Sequence, residues 1–244
     1  MTARRAHGAR AERTRRAILG AAEQIFAERG FAATRLEDVA QRVGIRRASI
    51  VYYWKDKRAL YDAVLDSVFS GLRERVEAAL SGPEPLPRRA EACVSAWVEY
   101  VGSRPTFARL LLREVADAGR GREAPMRKYT RPFFELIRKH VVERPDPAAR
   151  LLGDVDPVHI ASTIAGGSVF FAAAIPALVP EIGLDPSSPA QIAAQREQAL
   201  RILPLLLGAS KVRRARPKAA PRAAGERSPT RRPSTRAARR SPRR

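Results

Sequence analysis

The chain has 244 residues, enough to bury a hydrophobic core in one or two domains. Cys93 is its single cysteine, which excludes a framework of intrachain disulfides and fits a reducing compartment. The formal net charge of +21 is unevenly divided: residues 1–57 carry +7, residues 58–210 carry +1 and residues 211–244 carry +13. This division predicts that a polyanion binds the two ends of the chain and not its middle.

Beyond a basic segment at residues 1–11, which we expect to be flexible, the chain starts with an amphipathic helix. Its apolar residues recur at helical spacing, and Gly30 follows as the stop. Thr34 then opens the sequence TRLE, which has the form of a capping box with Glu37 and predicts a second helix. The apolar face of the first helix consists of Ile18, Ala22, Ile25 and Phe26.

The second predicted helix ends at Gly44, and a third must begin about three residues later. Two short helices joined by a tight turn, at about residues 35–54, predict a helix-turn-helix motif whose second helix enters the DNA major groove. Arg46 and Arg47 stand at the start of that second helix, where the helix dipole disfavours cations. A phosphate or a guanine edge would offset that cost. The alternative is that these cations only hydrate a solvent-exposed face.

The stretch from RRAILGAAEQIF to YYWKDKRALYDAVL resembles the N-terminal domain of the TetR family of bacterial transcriptional regulators, over about residues 12–72. The resemblance implies an all-α protein: a three-helix DNA-binding head and a larger helical body that binds a small molecule and dimerises. By correspondence, the base-facing residues are Arg47, Ala48, Ser49, Val51 and Tyr52, and those contacting the DNA backbone are Thr34, Arg46, Tyr53 and Lys57. Arg46 stands where the family often has Ser or Thr, which implies a recognition helix without its usual cap.

Residues 73–210 resemble the family only loosely, as expected of a variable ligand domain. Bulky apolar residues there are candidates for a ligand pocket, although ordinary core packing is the alternative for each of them. Arg113 and Glu114 are candidates for a polar contact to the ligand, or for a surface pair. The pocket candidates are Trp97, Tyr100, Phe107, Leu111 and Phe134.

The dimer interface is predicted in two later segments, IASTIAGGSVFFAAAIPALV and QIAAQREQALRILPLLLG. Residues 160–180 contain no charged residue, but their small residues and Pro176 favour a buried or interfacial helix over a membrane span. These segments occupy the places where the family builds its dimer bundle. The interface candidates are Gly166, Gly167, Phe170, Phe171 and Leu203.

Residues 211–244 are rich in Arg and Pro without hydrophobic periodicity, which predicts a disordered tail. Such a tail would neutralise phosphates without reading bases, or serve as a solvated appendage. We expect a cytoplasmic, nucleoid-associated homodimer that binds double-stranded DNA and a small-molecule effector, without cofactor, metal site or membrane insertion. The expected function is a repressor released from a palindromic operator. The alternative is an architectural DNA-binding protein dominated by its tail; no enzyme motif is present.

Overall fold

The structure is a computed structural model that describes residues 2–118, 126–143 and 156–207. Within these ranges all regular elements are helices, which confirms the all-α prediction. None of the described helices has the length and hydropathy needed to span a membrane. The basic tail at residues 211–244, for which the sequence predicts disorder, lies outside the described residues.

Three helices form the head: α1 (Thr2–Ala33), α2 (Leu36–Val43) and α3 (Arg47–Tyr53). Helix α1 begins at Thr2, so residues 2–11 extend this helix, whereas the sequence predicts a separate flexible segment there. Gly30 has a φ of 77° and breaks α1 where the sequence places its stop. Gly44 ends α2 in the left-handed conformation, with a φ of 74° that glycine adopts without strain.

The cap of α2 differs from the predicted box. Thr34 is buried, and its hydroxyl donates to the carbonyl of Gly30 at 2.7 Å instead of accepting from Glu37. The N-cap residue is Arg35, whose backbone N–H donates to Asp38 Oδ2 at 3.0 Å. Because Gly30 turns the chain, its carbonyl loses a helical donor, and the threonine hydroxyl replaces that donor. The capping carboxylate is therefore one residue later than predicted.

The helices after the head are α4 (Lys57–Ser81), α5 (Leu86–Ser103), α6 (Pro105–Ala118), α7 (Met126–Ile137), α8 (Pro157–Ala173), α9 (Ile175–Leu178) and α10 (Pro189–Leu206). The body begins within α4, which runs through the predicted domain boundary after residue 72 as one continuous helix. Helix α4 packs on α5, and α5 packs on α10. A π-helical turn at Arg138–Val142 follows α7, and a short 3₁₀ turn at Pro180–Ile182 follows α9.

Two buried details hold the body helices together. Arg89 is a buried guanidinium that donates to the carbonyls of Leu80 and His140, at 3.1 and 3.0 Å, and so fixes the end of α4 against the π-helical turn. Gly102 lets α5 approach α10: a Cβ built there would lie 2.6 Å from Ile192 Cγ1. A larger residue would therefore push the two helices apart.

Candidate nucleic-acid interface and ligand cavity

The recognition helix α3 buries one face and exposes the other. Ile50 and Trp54 are buried in the core of the head and anchor the helix. On the opposite side, 83% of the Tyr52 surface and 41% of the Val51 surface are exposed. Apolar and aromatic side chains at this level of exposure, beside an arginine, form a surface suited to base edges and thymine methyl groups.

The first residues of α3 also point outward. Arg46 is the N-cap and gives the helix no side-chain cap, as the resemblance implies. Arg47 Nε lies 3.1 Å from Glu37 Oε1, and both side chains are more than half exposed. This carboxylate on α2 offsets the unfavourable position of Arg47 near the helix N-terminus. Ala48 is exposed and Ser49 is half-buried.

The residues assigned to the DNA backbone are placed less uniformly. Arg46 is exposed. Thr34 is only 1% exposed and bonded within the head, so its side chain is not available to a phosphate in this structure. Tyr53 is half-buried, and its hydroxyl donates to the carbonyl of Ala11 at 3.3 Å. Tyr53 therefore joins α3 to α1, as a residue covering the head's core would.

Lys57, at the start of α4, has partners that the sequence does not predict. Its ammonium donates to the carbonyls of Phe31, Ala32 and Thr34, at 2.8, 3.2 and 2.9 Å. The same nitrogen lies 4.5 Å from the centroid of the Phe31 ring. An ammonium has three N–H donors, so a phosphate contact would have to displace one of these carbonyls. Lys57 thus caps the carbonyls that the break at Gly30 leaves exposed.

The body contains an apolar cavity of about 360 Å³ lined by residues of α4, α5, α6, α7, α8 and α10. This volume lies in the range of small-molecule sites. Four of the five predicted pocket residues line it, namely Trp97, Phe107, Leu111 and Phe134. Cys93 also lines the cavity, and burial raises the pKa of its thiol to about 11. Its place one helical turn before Trp97 on α5 is the sequence signal that could have identified it.

The fifth predicted pocket residue, Tyr100, is absent from the lining. Its hydroxyl donates to the carbonyl of Val68 on α4 and accepts from Arg104 Nη1 at 2.9 Å. Arg104 in turn donates from Nε to Glu23 Oε1 on α1 at 2.8 Å. Burial raises the pKa of Tyr100, which keeps the phenol protonated. Tyr100 is therefore part of a network that joins head and body, which no local spacing reveals because Glu23 and Arg104 are 81 residues apart.

Helix α6 makes a second connection between body and head. Arg113 donates from Nε to the carbonyl of Ala27 and from Nη2 to that of Glu28, at 3.0 and 2.7 Å. Glu114 is buried and accepts a hydrogen bond from the Tyr61 hydroxyl on α4. Neither residue belongs to the described lining of the cavity, and both are bonded within the chain. We name this pair of contacts the α6 latch.

The predicted dimer residues divide into two groups. Gly166 and Gly167 are exposed on α8, with no other described part of the chain within 4 Å of an added Cβ, and Phe170 is 50% exposed on the same helix. Phe171 is half-buried. Leu203 is only 2% exposed and packs inside the subunit against α5 and α8, because α10 turns this residue toward the cavity. Leu203 is therefore a core residue in this structure.

The all-α fold and the two short helices joined at Gly44 are those of helix-turn-helix DNA-binding proteins. Residues 18–64 match the family model described as bacterial regulatory proteins, tetR family. The match covers α1 from Ile18, all of α2 and α3, and the start of α4. The head of this chain is therefore similar to the DNA-binding domain of the TetR family of bacterial regulators.

Solved structures support the same fold over the body. A regulator of the TetR/AcrR family from Thermobifida fusca YX-ER1 is 25% identical, with a TM-score of 0.50, and the alignment covers 79% of this chain and 97% of that one. FadR from Bacillus subtilis, solved in complex with stearoyl-CoA, is 14% identical, with a TM-score of 0.57, and the alignment covers 78% of this chain and 97% of that one. The ketosteroid regulator KstR2 of Mycobacterium tuberculosis is 16% identical, with a TM-score of 0.58, and the alignment covers 79% of this chain and 92% of that one.

Proposed function

We propose that this chain is a homodimeric repressor that leaves a palindromic operator when a small apolar or amphipathic ligand enters the body. The observation that carries the proposal is the joint presence of an exposed reading face on α3 and an apolar cavity whose wall includes α6, the helix that bears the latch to the head. FadR from Bacillus subtilis, which shares this fold, binds stearoyl-CoA, and this supports a ligand with a long apolar part.

In this proposal the base edges meet α3. Arg47 exchanges Glu37 for a guanine, while Val51 and Tyr52 supply apolar contact to thymine methyl groups. Ala48 and Ser49 complete the reading face. A bidentate arginine–guanine pair discriminates against the wrong base by about 1–3 kcal/mol, whereas phosphate contacts position the head without reading sequence.

Arg46 is the first candidate for a phosphate contact, since it is exposed beside the N-terminus of α3 and its side chain does not cap that helix. Tyr53 supports the same contact indirectly by holding α3 on α1. We retain Thr34 and Lys57 only as residues that shape the backbone near the phosphate, because their side chains are bonded within the head.

The dimer is proposed to form through α8 and α10. Gly166 and Gly167 leave room for close approach of a partner helix, and Phe170 offers an exposed aromatic anchor beside them. Substituting Phe170 with glutamate should produce monomers in sedimentation velocity, because a charge would be buried in an apolar contact. A dimer that persists in F170E would place the interface elsewhere. Val115→Glu, at another exposed apolar residue but on α6, is a suitable control.

Release from DNA is proposed to pass through α6. Phe107 and Leu111 line the cavity on one side of this helix, and Arg113 and Glu114 form the latch from its other end. A ligand that displaces α6 would disturb the contacts of the α6 latch and change the separation of the two heads of the dimer. Half-sites one helical turn apart require heads about 34–36 Å apart, so a shift of a few ångströms removes one contact.

Selection of bound fragments from a random DNA pool, followed by footprinting, tests the proposed function. One protected palindromic site supports the regulator, and uniform protection supports the architectural alternative, in which the tail dominates. That alternative rests on the +13 charge of residues 211–244. We propose that the protein acts in the cytoplasm, on the nucleoid, and that it acts by binding, without catalysis.

A further inference from the structure

A second cavity, which we call the basic groove, lies between α1, α4 and α7. Its volume is about 490 Å³, and the charged side chains that line it among the described residues are Arg15, Arg73, Lys128 and Asp66. Three cations against one carboxylate leave a surplus of positive charge in a concave site. The hydroxyls of Ser70 and Tyr129, which also line it, donate to the carbonyls of Ser67 and Asp62. The cations of this lining suit an anionic group.

The basic groove and the apolar cavity share two wall residues. Phe69 on α4 and Phe133 on α7 line both spaces. Among the described residues these two rings are all that the linings have in common, so a polar compartment and an apolar compartment meet at one aromatic wall. Phe133 is half-buried and packs at the edge of the core, so its rotation is the simplest way to join the two compartments.

We propose that the effector is an amphipathic anion, with an apolar chain in the cavity and a carboxylate or phosphate held in the basic groove by Arg15, Arg73 and Lys128. This inference rests on the proposed function, because it assigns the two ends of the same effector. It adds a second site, on a different set of residues, and a chemical class for the ligand.

The present partners of two of the cations are weak enough to be exchanged. Lys128 Nζ lies 2.7 Å from Asp66 Oδ1, and Arg73 Nη1 lies 3.9 Å from Glu77 Oε2. All four side chains are between 43% and 65% exposed, and ion pairs of this kind contribute little to stability. An incoming anion can therefore recruit Arg73 and Lys128 at small cost, and Asp66 is the carboxylate of the described lining that opposes it.

Arg15 connects the basic groove to the recognition helix. Its guanidinium carbon lies 5.5 Å from the centroid of the Trp54 ring. Trp54 is the C-cap residue of α3 and is buried beneath it. An anion that draws Arg15 into the groove would remove this cation–π contact and weaken the packing of α3 against the head. The anionic end of the effector would then act on the head directly, in addition to the path through α6.

The two tryptophans of the chain report the two ends of the effector separately. Trp97 lines the apolar cavity, and Trp54 lies beneath Arg15. Variants W54F and W97F each keep one reporter. The probes are 1-decanol, decanoate, decyl phosphate and inorganic phosphate, titrated by fluorescence at low salt. We expect decanol to change only the Trp97 emission, and decanoate or decyl phosphate to change the emission of both.

Charge variants supply the affinity test. Each exposed cation should contribute about threefold, so the double variant R73Q/K128Q should bind decanoate about tenfold more weakly while its affinity for decanol stays unchanged. Arg88→Gln is the matched control, since Arg88 is an exposed arginine that pairs with Glu91 outside both linings. Raising the salt concentration should weaken decanoate binding and leave decanol binding nearly constant. Decyl phosphate binding more tightly than decanoate would support the proposal with phosphate as the preferred head.

Two results would overturn the inference alone, and a third would overturn the proposed cavity function with it. Decanol and decanoate could bind with equal affinity, both changing the emission of Trp97 and neither changing the emission of Trp54. The basic groove would then take no part in binding, and only the proposal of an apolar ligand would stand. If inorganic phosphate changes the Trp54 emission with the same affinity as decyl phosphate, the groove is a separate anion site. It would then not hold the head group of an amphipathic ligand. If none of the decyl probes changes Trp97, the proposed cavity function fails as well.

Discussion

Replacing Lys57 with methionine should destabilise the head, because the ammonium of Lys57 holds three carbonyls at the end of α1. Methionine keeps an unbranched side chain of similar length and removes only the charge and the donors. The three bonds, to Phe31, Ala32 and Thr34, are 2.8–3.2 Å long. Without the ammonium, these carbonyls lose their donor at a point where the helix has already broken at Gly30.

The expected loss follows from these contacts. Each bond to the half-buried ammonium contributes about 1 kcal/mol once solvent exposure is discounted, and the contact with the Phe31 ring adds about 0.5 kcal/mol. Water can solvate part of the freed carbonyls, so the net loss should be about 2–3 kcal/mol. At about 2–4 °C for each kcal/mol in a chain of this size, the thermal midpoint should fall by about 5–10 °C.

Circular dichroism during heating measures this change, with Lys55→Met as the control. Lys55 is exposed two residues earlier, so its substitution should leave the midpoint within about 1–2 °C. The reasoning would be refuted if K57M kept the wild-type thermal midpoint and its slope of log DNA affinity against log salt concentration became shallower by about one unit. Lys57 would then contact a phosphate, as the sequence resemblance implies.

Three further predictions concern the body. Gly102→Ala should cost about 1–3 kcal/mol in denaturant unfolding, and adding Ile192→Ala should recover most of that loss, because the new Cβ overlaps the isoleucine side chain. Cys93 should react with iodoacetamide at pH 8 about 100-fold more slowly than a thiol of pKa 9, since a pKa raised to about 11 lowers the thiolate fraction by two orders of magnitude; rapid labelling would show that the cavity wall opens. Arg113→Ala should leave decanol affinity unchanged while weakening the effect of ligand on operator affinity, and an unchanged effect would remove α6 from the pathway.

The sequence predicts the head closely because its signals are local. Gly30 and Gly44 adopt the left-handed backbone expected of helix stops, and Ile50 and Trp54 anchor α3 as their apolar spacing indicates. The predicted capping residue is wrong by one position, since the carboxylates of Glu37 and Asp38 are adjacent in the sequence and the TRLE pattern does not distinguish between them.

The body is less predictable because its functional contacts join distant parts of the chain. Apolar size is enough to find Trp97 and Phe107 in the cavity wall. It cannot separate them from Tyr100, whose hydroxyl bonds to α4, or distinguish Leu203 in the core from residues on the open face of α10. Those distinctions depend on helix rotation within the packed bundle, which hydrophobic periodicity alone does not fix.

The central claim is that α3 reads DNA sequence, and the ratio of affinities for a selected operator and a scrambled duplex tests it most directly. Wild-type protein should prefer the operator by at least about 1,000-fold at one fixed salt concentration. Arg47→Ala and Tyr52→Ala should each reduce that ratio by about 10-fold or more, while Arg88→Ala, a substitution in the body, should leave it unchanged. Equal affinity of the wild-type protein for the two duplexes would contradict the account.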